Sequence, residues 1–192
     1  KERSKFIKDK KLFVLSPSLK SEGIFKKKKS SKKKYKIILF LEGNQAEEDL
    51  NVIKKFIYVA NKLPKIKIYI KKHPSPVYKN LSIELPDNIK FIDFKFSYLA
   101  KNTLIAACSG ASTTVLQSLA YGCRLLIPSD NGYDKKTLKS LNIPNENFAI
   151  CDTKFGIFDA VKYFTNKKKS YKNINPNSMF EKINKENIKI FY

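Results

Sequence analysis

At 192 residues, 42% of them hydrophobic, the chain is long enough for one domain with a real core and too short for two large ones. No apolar run approaches the roughly 18 residues that span a bilayer, and no basic start leads into an apolar stretch with a cleavage site, so neither a membrane helix nor a secretory signal is expected. The formal charge of +22 admits a nucleic-acid or anionic-membrane partner, yet only Arg3 and Arg124 are arginine, and abundant Lys, Ile and Asn together are what an AT-rich genome produces.

The chain starts at Lys1, which reads as a fragment or a processed piece. Residues 11–15 (KLFVL) look like a short strand, and a basic linker follows, with Lys26 to Lys34 expected as a solvated loop. From Tyr35 the pattern becomes regular. Tyr35 to Leu41 is a nearly continuous apolar run and predicts a buried strand. A turn at 42–45 leads to a helix from about Glu47 to Leu63, with Leu50, Ile53, Ile57, Ala60 and Leu63 as its apolar stripe and Pro64 as its stop. Acids crowd its first turn, where the helix dipole favours them.

The alternation then repeats. Strands are predicted at Ile66 to Ile70, Ile89 to Ile92, Thr103 to Cys108, Arg124 to Ile127 and Phe148 to Cys151. Helices are predicted at Phe96 to Lys101, Ser112 to Tyr121 (closed by Gly122), Thr137 to Leu141, Gly156 to Phe164 and Met179 to Ile183. Short strands alternating with helices imply right-handed crossovers and an α/β, Rossmann-like parallel sheet with helices on both faces. Three domain segments follow: 1–34 as a trailing piece of an upstream domain plus linker, 35–166 as the main domain, and 167–192 as a Lys/Asn-rich tail. Cys108, Cys123 and Cys151 lie in or beside apolar segments without close spacing, which argues against a disulfide framework or a zinc site and for small buried side chains in a reducing cytoplasm.

In such sheets ligands bind outside the carboxyl ends of the strands. Four polar segments fall there. Ser109-Gly110-Ala111-Ser112-Thr113-Thr114 follows a strand and opens a helix, so small residues, hydroxyls and free helix N–H groups converge on one point. That suits a phosphate or carboxylate; equally, Ser112 can simply cap its helix. The Gly-Lys-Ser/Thr ending of a Walker A loop is absent. Lys71-Lys72-His73-Pro74 holds the only histidine, with the proline biasing His73 toward an extended backbone. It is either a phosphate donor or a surface histidine. Gly43 and Asn44 follow the first strand as a close-approach loop or a plain turn. Residues 129–133 carry an Asn-Gly turn signal.

These residues resemble the C-terminal, nucleotide-binding domain of GT-B glycosyltransferases, with the nearest likeness to bacterial surface-polysaccharide enzymes: sialyl- and polysialyltransferases, Kdo transferases and polyol-phosphate transferases. The resemblance rests on His73-Pro74 after one strand, Ser112-Thr113 within SGASTT after a later one, LPDNIKFID between them (Leu85 to Asp93), and VLQSLAYGCRLLIP after them (Val115 to Pro128). It covers roughly residues 35 to 165.

The resemblance implies one half of a GT-B fold in which Lys72, His73, Pro74, Ser109, Gly110, Ser112, Thr113, Gly43 and Asn44 bind the phosphate and nucleotide of a CMP-, CDP- or UDP-linked sugar donor. It implies no cofactor and no metal, a catalytic base in a missing N-terminal half, a glycan or lipid-linked acceptor, and a cytoplasmic bacterial enzyme with possible peripheral contact with an anionic inner membrane. The fragment alone is then expected to bind donor weakly and turn over nothing. Two positions depart from the family pattern: Gln117 stands where many members have a glutamate, and Ser97 stands near the ribose-binding glutamate of sialyltransferases. The alternatives are a CDP-alcohol polyol-phosphate transferase and a non-enzymatic basic module for nucleic acid or membrane surfaces; nucleic acid is the less expected partner.

Overall fold

The computed structural model describes residues 33–41, 46–74, 83–109, 113–128 and 143–166. The expected strand at 11–15, the linker before Lys33, the turn at 129–133 and the helices at 137–141 and 179–183 lie outside the described residues. Within them the chain runs β1 (Tyr35–Phe40), α1 (Ala46–Lys62), β2 (Ile68–Lys71), β3 (Ile89–Phe91), α2 (Phe96–Lys101), β4 (Thr103–Cys108), α3 (Thr113–Ala120), β5 (Arg124–Ile127), a 3-10 turn (Asn145–Asn147), β6 (Phe148–Ile150) and α4 (Lys154–Thr165).

The strands form one six-stranded sheet in the order β3-β2-β1-β4-β5-β6, and every pairing is parallel. The near-continuous apolar character of β1 has its explanation here, since both faces of a central parallel strand are covered. Ile37, Leu39 and Leu41 face one layer, where Val52, Ile53, Phe56, Val59 and Ala60 of α1 meet Ile157, Val161 and Phe164 of α4. Ile38 and Phe40 face the other, with Leu99 and Ala100 of α2 and Val115, Leu119 and Ala120 of α3.

Three expectations need correction. The buried stripe of α1 is Val52, Ile53, Phe56, Val59 and Ala60, whereas Leu50, Ile57 and Leu63 are only half-buried. The face is rotated because α1 packs on α4 as well as on the sheet, which centres burial on Phe56 and moves Ile57 and Leu63 to the rim of the cluster. Lys33, expected in a solvated loop, is half-buried; its Nζ donates to the carbonyls of Lys101 and Tyr121, each at 3.1 Å, at the ends of α2 and α3. A lysine there answers the orphan carbonyls and negative dipole ends of two helices at once. Helix α4 starts two residues earlier than expected, because Thr153 caps it: the Gly156 N–H donates to Thr153 Oγ1 at 3.0 Å.

Arg124 is also no surface charge. It is buried at the start of β5, donates to the Phe164 carbonyl, and lies 5.7 Å from the centre of the Phe164 ring. It ties the last turn of α4 to the sheet, and burial lowers its pKa from the usual arginine value. Gly122 closes α3 with φ 76°, a left-handed conformation open to glycine at no steric cost. Cys108 and Cys123 are buried and Cys151 half-buried, and none of the three is in a disulfide.

Candidate functional site

Because every strand is parallel, every strand exit lies on one edge of the sheet. The sheet order decides which exits are neighbours. β2, β1 and β4 are consecutive, so the chain leaves the sheet side by side after Lys71, Leu41 and Cys108, with Lys72-His73-Pro74 and Ser109 at two of these exits. The Leu41 N–H donates to the Lys71 carbonyl at 3.1 Å and the Ser109 N–H donates to the Phe40 carbonyl at 3.2 Å, which keeps the three exits level. The strands that deliver His73 and Ser109, β2 and β4, thus lie two strand spacings apart, about 10 Å.

The order also reverses at this point. From β1 the chain crosses to α1 on one face, and from β4 it crosses to α3 on the other. Divergent crossovers leave a crevice between them, the place where open parallel sheets hold ligands. Helix α3 begins at Thr113, with its N-terminus toward that edge and no acid in its first turn. Of the expected binding residues, Lys72, His73, Pro74, Ser109 and the backbone of Thr113 are described, and all sit at this edge. Gly43, Asn44, Gly110 and Ser112 lie outside the described residues.

A cleft of about 410 Å³ opens over the exits of β2 and β3, lined by Lys71, Lys72, His73, Pro74, Phe91, Ile92 and Asp93. It lies one strand to the side of the β1/β4 crevice. The two lysines differ in what they can offer. Lys71 is committed to an ion pair with Asp93, and the hydrogen bond and charge of Lys71 hold the Asp93 carboxyl below its ordinary pKa. Lys72 is half-buried with Nζ 4.4 Å from the centre of the Phe91 ring. His73 is exposed at the rim. Lys71 is therefore paired with Asp93, and Lys72 and His73 remain to meet an anion.

The β3 wall of this cleft (Phe91, Ile92, Asp93) was not among the expected site residues. The signal for it was the stretch ending FID, which leaves a strand on the same edge. Asn88, in the same stretch, serves the fold and not the cleft. Its Nδ2 donates to the carbonyls of Ala60 at 3.0 Å and Ile66 at 3.1 Å, holding the end of α1. Gln117 and Ser97 are half-buried on α3 and α2.

No family model matches the sequence, and no curated protein matches it. Solved structures do. The UDP-GlcNAc 2-epimerase of Methanocaldococcus jannaschii, in complex with UDP-GlcNAc and UDP, superposes with a TM-score of 0.58 at 18% identity, over 92% of this chain and 54% of that one. The UDP-GlcNAc 2-epimerase from Neisseria meningitidis bound to UDP-GlcNAc gives 0.51 at 18% identity, over 74% and 41%. The spinosyn rhamnosyltransferase SpnG gives 0.51 at 14%, over 73% and 37%. The chain has the fold of one half of a GT-B protein. It spans about half the length of these structures or less, and at these identities the likeness is one of fold. None of the helices among the described residues is long and apolar enough to cross a membrane.

Proposed function

We propose that residues 35–166 are the nucleotide-sugar donor-binding domain of a glycosyltransferase that acts in surface-glycan synthesis, cut off here from its acceptor-binding half. The observation that carries the reading is the adjacency of the β2, β1 and β4 exits at the point where the sheet order reverses, with His73 and Ser109 flanking it. Two strand spacings, about 10 Å, suit a nucleoside diphosphate laid across the edge better than a single small anion.

In this reading the N–H groups that open α3, the hydroxyls of Ser109, Ser112 and Thr113, and the His73 imidazole stabilise negative charge on the departing phosphate. Lys72 joins them by leaving the Phe91 ring. Gly43, Asn44 and Gly110 let the ligand approach the backbone, and Pro74 holds His73 in place. Deprotonation of the acceptor falls to a base outside this chain. A cytoplasmic setting, with peripheral contact at an anionic membrane, belongs to the same reading. The fold also serves nucleotide-sugar epimerases, so product analysis with the full-length protein separates transfer from epimerisation.

Calorimetric titration of the chain with UDP, CDP and CMP, against ATP as control, tests the proposal. Pyrimidine nucleotides should bind more tightly than ATP. His73→Ala and Ser109→Ala should each weaken binding about tenfold to a hundredfold, the value of roughly 1.5–3 kcal/mol for a hydrogen bond to a charged group. Tighter binding of ATP, or full pyrimidine affinity in both variants, contradicts it.

A further inference from the structure

The sheet has a second edge, where the strands begin, and its charge differs from that of the site edge. Lys34 and Lys36 stand at the start of β1, Lys62 ends α1, Lys65 and Lys67 lead into β2, and Lys162 lies in the last turn of α4. All six are exposed. Parallel strands bring them to one edge, because every strand start and every returning helix end lies there. From Leu50 to Pro74 the chain holds no acid at all. The acids described on this edge are Glu84, Asp87 and Glu146, the first two just before β3 and the third just before β6. At the site edge the charges are mixed: Glu47, Glu48, Asp93 and Asp152 stand beside Lys71, Lys72, Lys95 and Lys154.

A composition biased toward lysine supplies the number of lysines and says nothing of where they gather. The gathering on one edge is a property of the fold. Exposed tyrosines accompany them: Tyr163 next to Lys162, and Tyr98, which hydrogen-bonds Lys34. Lysine stems and tyrosine rings suit a headgroup layer, where the apolar part is covered and the polar tip stays wet. No arginine joins the exposed set, so nothing there offers the bidentate fork used to read nucleic acid.

We propose that this edge, with Lys34, Lys36, Lys62, Lys65, Lys67 and Lys162, docks on an anionic lipid surface. The proposal rests on the peripheral membrane contact of the reading above and goes beyond it by assigning the surface. Docked this way, the molecule turns its strand exits toward solvent, where a soluble nucleotide reaches them.

Co-sedimentation of the 192-residue chain with phosphatidylcholine vesicles, with and without about one third phosphatidylglycerol, tests it. Binding should require the anionic lipid and weaken with salt. The combined Lys62→Gln, Lys65→Gln and Lys67→Gln variant should partition about a hundredfold less, at roughly fivefold per lysine near the surface. Its nucleotide affinity should match that of the parent, as the site lies on the opposite edge. Absence of binding to anionic vesicles sinks both the docking edge and the membrane contact, whereas nucleotide titration still tests the donor site. Binding lost only when Lys26 to Lys29 are changed to Gln overturns the edge and keeps the membrane contact. Tighter binding to duplex DNA than to the vesicles, lost in the same triple variant, overturns the lipid assignment.

Discussion

Protonating Asp93 removes the partner that occupies Lys71 beside the cleft. Its carboxyl titrates below its ordinary 3.8, first through the hydrogen bond from Lys71 and then through the charge of that ammonium. A depressed folded pKa means that the pair is fully formed above the unfolded value and is lost as pH falls through the folded one. The Asp93 carboxyl carbon, followed by NMR, should therefore show a midpoint below 3.8; a midpoint at or above it contradicts the pairing. The thiols provide a second residue-scale prediction. Burial pushes Cys123 up to about 12, and its Sγ donates to the Ala100 carbonyl at 3.0 Å. Iodoacetamide at mildly alkaline pH should label the half-buried Cys151 first and leave Cys108 and Cys123 unmodified until the chain unfolds. Mass spectrometry of the native protein reads the order directly, and early labelling of Cys123 contradicts its burial.

Helix ends in this molecule are held by side chains from distant parts of the chain. Asn88 reaches the end of α1, Lys33 the ends of α2 and α3, and Arg124 the end of α4. Asn88→Ala leaves the last carbonyls of α1 with fewer donors and should cost about 1–3 kcal/mol, read as a lowered urea midpoint with an unchanged slope. Thr153→Ala should cost about 0.5–2 kcal/mol by the same measurement, and Thr153→Ser should restore most of it. The two differ in legibility. Thr153 sits next to the helix it caps and is a cap residue by type, so a start at 154 was open to a local reading. Asn88 has no local signal, because its partners are more than twenty residues earlier in the chain.

At the scale of the molecule, β1 and β4 form the centre of the sheet and β3 and β6 its edges. β1 and β4 are buried along most of their lengths, while β6 is half-buried throughout and β3 keeps only Ile89 buried. Amide hydrogen exchange should accordingly be slowest in β1 and β4, with β3 and β6 opening first. Faster exchange in β1 than in β6 contradicts this sheet order.

What could be read from the residues alone was whatever depends on near neighbours. The apolar run of β1, the bounds of α2, β4 and β5, and the glycine stop after α3 were all legible, as was the placing of His73 and Ser109 at strand exits. Each needs only the local period and a turn residue. The order of the strands was not legible, and it decides that the exits of β2, β1 and β4 are neighbours and that the lysines before β1 and β2 share an edge. Nor was the fate of individual charges. Lys71 is tied up by Asp93, 22 residues away, and Arg124 is buried against Phe164, 40 residues away. A charge on the sequence is a charge in water until the fold brings a partner to it, and that meeting is set by packing between elements, which no local pattern records.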